Sequence, residues 1–191
     1  MKKEREVKTA LLLVDIQNDY FPGGCMELDG MNEAGSRAQE LLGLFRQNAW
    51  PVFHIQHIAA RPGATFFLAG TNGAEIHVCV KPLENEVVIT KHFPNSFRGT
   101  LLLDLVKDAG IHQLVICGAM SHMCIDATTR AAFDLDFDCT LIHDACATRD
   151  LAFEGRIISA REVHASFMAA LASAYANVRS SGEFKSGITG G

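Results

Sequence analysis

QLVICGAMSHMCIDATTRAAFDL, Gln113 to Leu135, changes its periodicity once, and that change decides the fold. Gln113 to Cys117 is a short apolar run rich in branched side chains; Gly118 follows, and Cys124 comes after five more residues. From Ile125 the apolar positions take helical spacing, at Ile125, Ala127, Ala131, Ala132 and Leu135. The pattern predicts a strand, a tight turn and a helix with a cysteine at its start. A thiol in that position meets the positive end of the helix dipole and unpaired backbone N–H groups, which favour thiolate and can hold an oxyanion.

Cysteine is among the most buried residue types, so packing is the ordinary reading for each of the six in this chain. Position separates them. Cys117 closes a buried strand, Cys139 lies inside another, and Cys79 alternates with Val78 and Val80, whereas Cys25 and Cys146 fall in predicted loops. Only Cys124 follows a glycine turn at a helix start.

Working outward, Lys8 to Val14 (KTALLLV) is a continuous apolar run of the kind that forms a strand covered on both faces, and Asp15 closes it. The segment IQNDYFPGG reads as a loop. A helix is predicted over Asn32 to Gln47, a second strand over Pro51 to Ile58, and an irregular excursion from Ala59 to Ile76 containing Phe66 and Phe67. Glu86 to Thr90 reads as a third strand ended by Lys91, followed by a helix of roughly Thr100 to Ala109. After the Cys124 unit come a strand from Cys139 to Ile142 ended by Asp144, a helix from Ser159 to Leu171, and a short last strand within Ala174 to Val178. Strand and helix alternate throughout, which predicts a three-layer α/β/α domain with a mainly parallel sheet. Ligands bind beyond the carboxyl ends of such strands, where Asp15, Lys91 and Cys124 all fall.

With 191 residues, 48% hydrophobic and 20% charged, the chain is expected to form one domain over 1–180, with a mobile tail, SGEFKSGITGG, over 181–191. A net charge of −5 and no basic run beyond KKER argue against nucleic acid or an anionic membrane as partner. The start is charged and its apolar run short, so neither a signal peptide nor a membrane span is expected, and the expected location is cytoplasmic. No CxxC pair is present, so the thiols read as reduced rather than as a disulfide or zinc framework.

Three segments in order, LLLVDIQNDYFPGG, TKHFPNSFRGT and CGAMSHMCIDATTRAAFDLDF, resemble the motifs of the isochorismatase-like cysteine hydrolases. The resemblance runs from about residue 9 to 150. It implies a Rossmann-like six-stranded parallel sheet in the order 3-2-1-4-5-6, a catalytic triad of Asp15, Lys91 and Cys124, and a homodimer or tetramer. It also implies a cis peptide at Ala119–Met120 and an oxyanion hole formed by the Met120 and Cys124 amides. Asp15 would then take the proton of Cys124 while Lys91 steadies the thiolate, giving metal-independent cleavage of a small amide or ureide through a thioester.

Gln17, Phe21, His57, Phe66, Phe67 and Phe97 are the candidate substrate-binding residues, because their loops lie at the same sheet edge. Ser96 is a candidate helix cap and Asp144 a cap or loop anchor. No metal or other cofactor is expected: nicotinamidases of this superfamily carry an Asp-x-His pair after the second strand, absent from FHIQHIAARPGATFF, and His54 and His57 point to opposite faces of a strand. GTNGAEIHVCVKP, Gly70 to Pro82, resembles a segment shared by amide, ureido and isochorismate hydrolases. An intact Cys124 tilts the reading towards C–N cleavage and away from the enol-ether hydrolysis of isochorismate. A non-catalytic binding protein on the same fold and a thiol redox sensor stand as alternatives from other classes.

Overall fold

The KTALLLV run becomes β1 (Lys8–Val14), whose last five residues are fully buried because it lies mid-sheet with both faces covered. Residues 8–189 are described in this computed structural model; residues 1–7 and the last two residues of the expected tail lie outside them. β1 pairs in parallel with β2 (Val52–His57) on one side and β4 (Ile111–Ala119) on the other. β3 (Val87–Lys91) extends the β2 side, and β5 (Asp138–Ala147) the β4 side.

Two further strands, β6 (Leu151–Phe153) and β7 (Arg156–Ile158), form a separate antiparallel hairpin, so β8 (Asn177–Arg179) is the sixth strand of the main sheet. Its order is β3-β2-β1-β4-β5-β8, all parallel, which matches the expected topology. The hairpin was not foreseen, because its Glu154-Gly155 turn, both residues at positive φ, lacks the usual Asn or Asp at the first position.

Helix α1 (Met31–Gln47) crosses from β1 to β2, whereas α3 (Asp126–Asp134) crosses from β4 to β5 in the opposite direction along the sheet. Right-handed crossovers running opposite ways put those helices on opposite faces. α2 (Leu102–Asp108) packs on β4, and α4 (Ala160–Ala172), held by a Ser159–Glu162 capping box, packs on α3 and β8. Among the described residues no helix is long and apolar enough to cross a membrane.

Three details correct the sequence reading. β5 runs on to Ala147 after a register shift against β4, so Asp144 and Cys146 lie inside the strand, and Cys146 is buried rather than in a loop. The segment expected as a mobile tail forms helix α5 (Ser181–Thr189): Asp144 accepts hydrogen bonds from the Ser181 N–H at 2.7 Å and hydroxyl at 2.8 Å, and Phe184 stacks on Phe45 of α1. Ser96 does not cap α2; its hydroxyl and backbone N–H both meet Thr128 Oγ1, tying the segment after Lys91 to α3.

The topological switch lies between β1 and β4, and there the two strands converge closely. Val14 stands opposite Gly118, whose φ is +126°; a Cβ at 118 would lie 1.9 Å from the Val14 carbonyl oxygen. Glycine is required for both reasons.

Candidate active site

Beyond that switch point β1 delivers Asp15, and β4 leads through a cis Ala119–Met120 peptide into a π-helical turn, Ser121–Ile125, that carries Cys124. The turn continues directly into α3, so the cysteine sits at a helix start as expected. Lys91 comes from two strands away. It ends β3 opposite His57, and its length lets the ammonium reach across to the switch point.

Lys91 is fully buried, and its three N–H donors are shared among Asp15 Oδ2 at 2.7 Å, His57 Nδ1 at 2.9 Å, Cys124 Sγ at 3.2 Å and the Phe93 carbonyl at 3.2 Å. Asp15 is equally buried and stands at φ +53°; its second oxygen, Oδ1, has no hydrogen-bond partner. A carboxylate, an ammonium and a thiol thus share one dry volume, with a carboxylate oxygen left free.

Electrostatics fixes where the protons rest. Burial first, then the charge of Asp15, pushes the Cys124 thiol well above its ordinary value, against the opposing pull of Lys91. The thiolate that the helix start alone would favour is therefore not the resting form, and the sulfur needs a base. Burial pulls Lys91 down, but the charge of Asp15 and the hydrogen bonds to Asp15 and Cys124 more than offset it, so the ammonium persists. Burial and the neighbouring ammonium push His57 down to about 4, leaving a neutral imidazole. Because Lys91 only donates, His57 Nδ1 must accept, which places the ring proton on Nε2.

Asp15, His57 and Cys124 also offer ligand atoms within 4.8 Å of one another. Lys91 Nζ donates to all three, so a cation there would face a buried ammonium already holding those lone pairs.

Cys124 opens onto a cavity of about 190 Å³. Of the six candidate binding residues, His57, Phe66 and Phe67 line it and three do not. The Gln17 amide is engaged by the backbone of His57 and Ala74, which ties the β1 and β2 ends together. Phe21 stacks on His77 at 3.5 Å in a separate groove, and Phe97 stacks on Phe137.

Sequence reasoning missed Tyr20, Arg61, His92 and Met123, which also line the cavity, as does Met120. Asp19 was missed in another way. Its buried carboxylate accepts from the Phe67 N–H at 2.6 Å and the Cys25 N–H at 3.1 Å, so it holds the aromatic loop rather than touching the cavity. A Cβ at Gly73 would lie 2.1 Å from Asp19 Oδ1, which is why that position is glycine.

The comparisons with known proteins agree with this architecture. The family model described as the isochorismatase domain matches residues 9–182. The isochorismatase family protein YddQ of Bacillus subtilis is 50% identical over 176 residues, covering 92% of this chain and 98% of that protein. The crystal structure of an isochorismatase hydrolase from Oleispira antarctica superposes with a TM-score of 0.90 at 50% identity and covers 96% of this chain and 98% of that one. Streptothricin hydrolase of Streptomyces noursei is 37% identical over 145 residues, covering 74% of this chain and 50% of that enzyme.

Proposed function

The chain belongs to the isochorismatase family and is a hydrolase, and from that premise we propose that it cleaves the C–N bond of a small amide or ureide through a thioester on Cys124. One observation carries the reading: a fully buried ammonium donates to both Asp15 and Cys124. An ammonium without water is costly, and packing alone would favour an apolar side chain there. The similarity to streptothricin hydrolase supports hydrolytic chemistry on this scaffold.

In this mechanism the proton resting on Cys124 passes to Asp15, whose Oδ1 is free to accept it. Lys91 stabilises the single negative charge as it moves from the carboxylate to the sulfur. The sulfur attacks the carbonyl carbon, and the resulting oxyanion is held by the Met120 and Cys124 backbone N–H groups. Protonated Asp15 then gives its proton to the departing amine, and the same carboxylate activates the water that hydrolyses the thioester. No metal takes part in this scheme, so chelator-treated protein retains its activity; loss on chelation with recovery on adding zinc or iron overturns that point.

The test is ammonia release from nicotinamide, pyrazinamide, N-carbamoyl amino acids and biuret, beside pyruvate release from isochorismate, for the wild type and Cys124→Ala. Ammonia release that disappears with the sulfur supports the proposal. Pyruvate release that survives Cys124→Ala would move the protein to enol-ether hydrolysis and take the thiol out of the chemistry.

A further inference from the structure

Tyr20 has no role in the mechanism above, yet it lines the same cavity as Cys124. Its ring is 2% exposed and packs 4.6 Å from Phe67 and 6.0 Å from Phe66, with His57 5.9 Å from Phe67 on the same aromatic wall. The rings account for the apolar surface but leave the phenol oxygen unexplained. Among the described residues it makes no hydrogen bond. The buried side-chain polar atoms without partners are Asp15 Oδ1, His54 Nδ1 and Thr129 Oγ1, and the Tyr20 hydroxyl is not one of them. An oxygen on a buried ring that is neither bonded nor sealed must open into the cavity the ring lines. His57 Nε2 satisfies the same two conditions and carries a proton.

The wall therefore presents two polar tips beside the reactive sulfur. His57 Nε2–H only donates, and burial first, with the nearby charge of Asp15, keeps the Tyr20 proton in place. Both tips call for acceptors, while the Met120 and Cys124 amides are assigned to the scissile carbonyl.

We propose that the Tyr20 hydroxyl is a specificity-determining donor that recognises a second acceptor on the substrate, so that the preferred class is an amide or ureide carrying a further carbonyl or carboxylate oxygen. This rests on the reading of Cys124 as the nucleophile. Tyrosine in place of phenylalanine in an apolar wall gains nothing unless its oxygen finds a partner, and the bound substrate supplies one.

Two thiol-directed probes test it without knowledge of the natural substrate. Chloroacetamide has one carbonyl and chloroacetylurea has two. In each case the Cys124 sulfur displaces chloride to form a thioether, and its proton leaves by way of Asp15. Alkylation rates, each divided by the rate with glutathione to remove intrinsic reactivity, are measured for the wild type and Tyr20→Phe, with the labelled cysteine located by mass spectrometry.

The expected result is a wild-type preference for chloroacetylurea that falls about five-fold in Tyr20→Phe, the worth of one neutral hydrogen bond, while the melting temperature does not fall. An unchanged ratio, or no wild-type preference, overturns the proposal while leaving Cys124 as the nucleophile. A fall in melting temperature with an unchanged ratio would make Tyr20 merely structural and also overturns it. Labelling of Cys124 no faster than of the exposed Cys25 would instead sink the cysteine-hydrolase reading itself.

Discussion

Asp15 and Asp144 come from strands on either side of β4, and both follow an apolar run that reads as a strand. Their surroundings differ in one respect that decides what each can do. Asp144 has one oxygen on the Ser181 N–H and the other on the Ser181 hydroxyl, so both are engaged locally and hold the start of α5. Asp15 is fully buried, has one oxygen on an ammonium and leaves the other unpartnered within reach of a thiol. A carboxylate with its acceptors filled is an anchor, whereas one kept dry with an acceptor to spare can take a proton.

The largest test of that contrast is Asp15→Asn. It preserves shape and removes the base, so turnover on whatever amide the panel identifies should fall by at least about a hundred-fold, the usual worth of a positioned general base. Cys124 alkylation should slow as well, since the proton on the sulfur has lost its acceptor. A variant with more than a tenth of wild-type turnover would reduce Asp15 to the role of Asp144.

Lys91→Met sharpens the comparison from the other side. Here activity falls and stability falls with it, because Asp15 is left as a buried charge without its counter-ion, at a cost of about 3–5 kcal/mol when one partner of a buried pair is removed. Denaturant unfolding reads this directly. The double variant Asp15→Asn, Lys91→Met should recover part of the loss, and its failure to do so would mean that the pair is not coupled.

A smaller effect comes from His57. Its imidazole titrates near 4 in the folded protein against an ordinary 6.5, so the folded state binds fewer protons than the unfolded state between those values. The contribution is fully present above pH 6.5 and is lost as pH falls towards 4. After discounting for the exposed part of the ring, it is roughly 1–2 kcal/mol. Unfolding measured at pH 7 and at pH 4.5 should show a smaller difference in His57→Gln than in the wild type, and an equal difference would mean that the imidazole is charged in the fold.

Much of this site was readable before any coordinates. Asp15, Lys91 and Cys124 each close or follow an apolar run, and a parallel sheet brings such positions to one edge. What escaped depended on rotation within irregular backbone. Asn18–Tyr20 is a single 3₁₀ turn, in which each step turns the side chain by a third of a circle, so Tyr20 faces the cavity while Phe21 faces another groove. No periodicity within so short a turn could have separated them. Phe66 and Phe67 line the cavity because the loop carrying them must return to β3. The π-helical turn at Ser121–Ile125 and the Glu154-Gly155 hairpin left no spacing signal, and the 181–189 helix was hidden because its partner, Asp144, had been assigned to a strand end rather than to a long strand.

The smallest expected effect is the one that completes the contrast. Asp144→Ala removes both acceptors from the start of α5, and a cap of this kind is worth about 1 kcal/mol. The helix also rests on Phe45 through Phe184, an apolar contact that the substitution leaves intact, so α5 should fray at its first turn rather than detach. Hydrogen exchange at the Ser181 amide should accelerate by roughly the factor of five to ten that this free energy implies, while turnover stays at the wild-type level. If turnover fell with the cap, the carboxyl end of β5 would belong to the chemistry after all, and the distinction between an engaged carboxylate and a free one would not separate structure from function in this sheet.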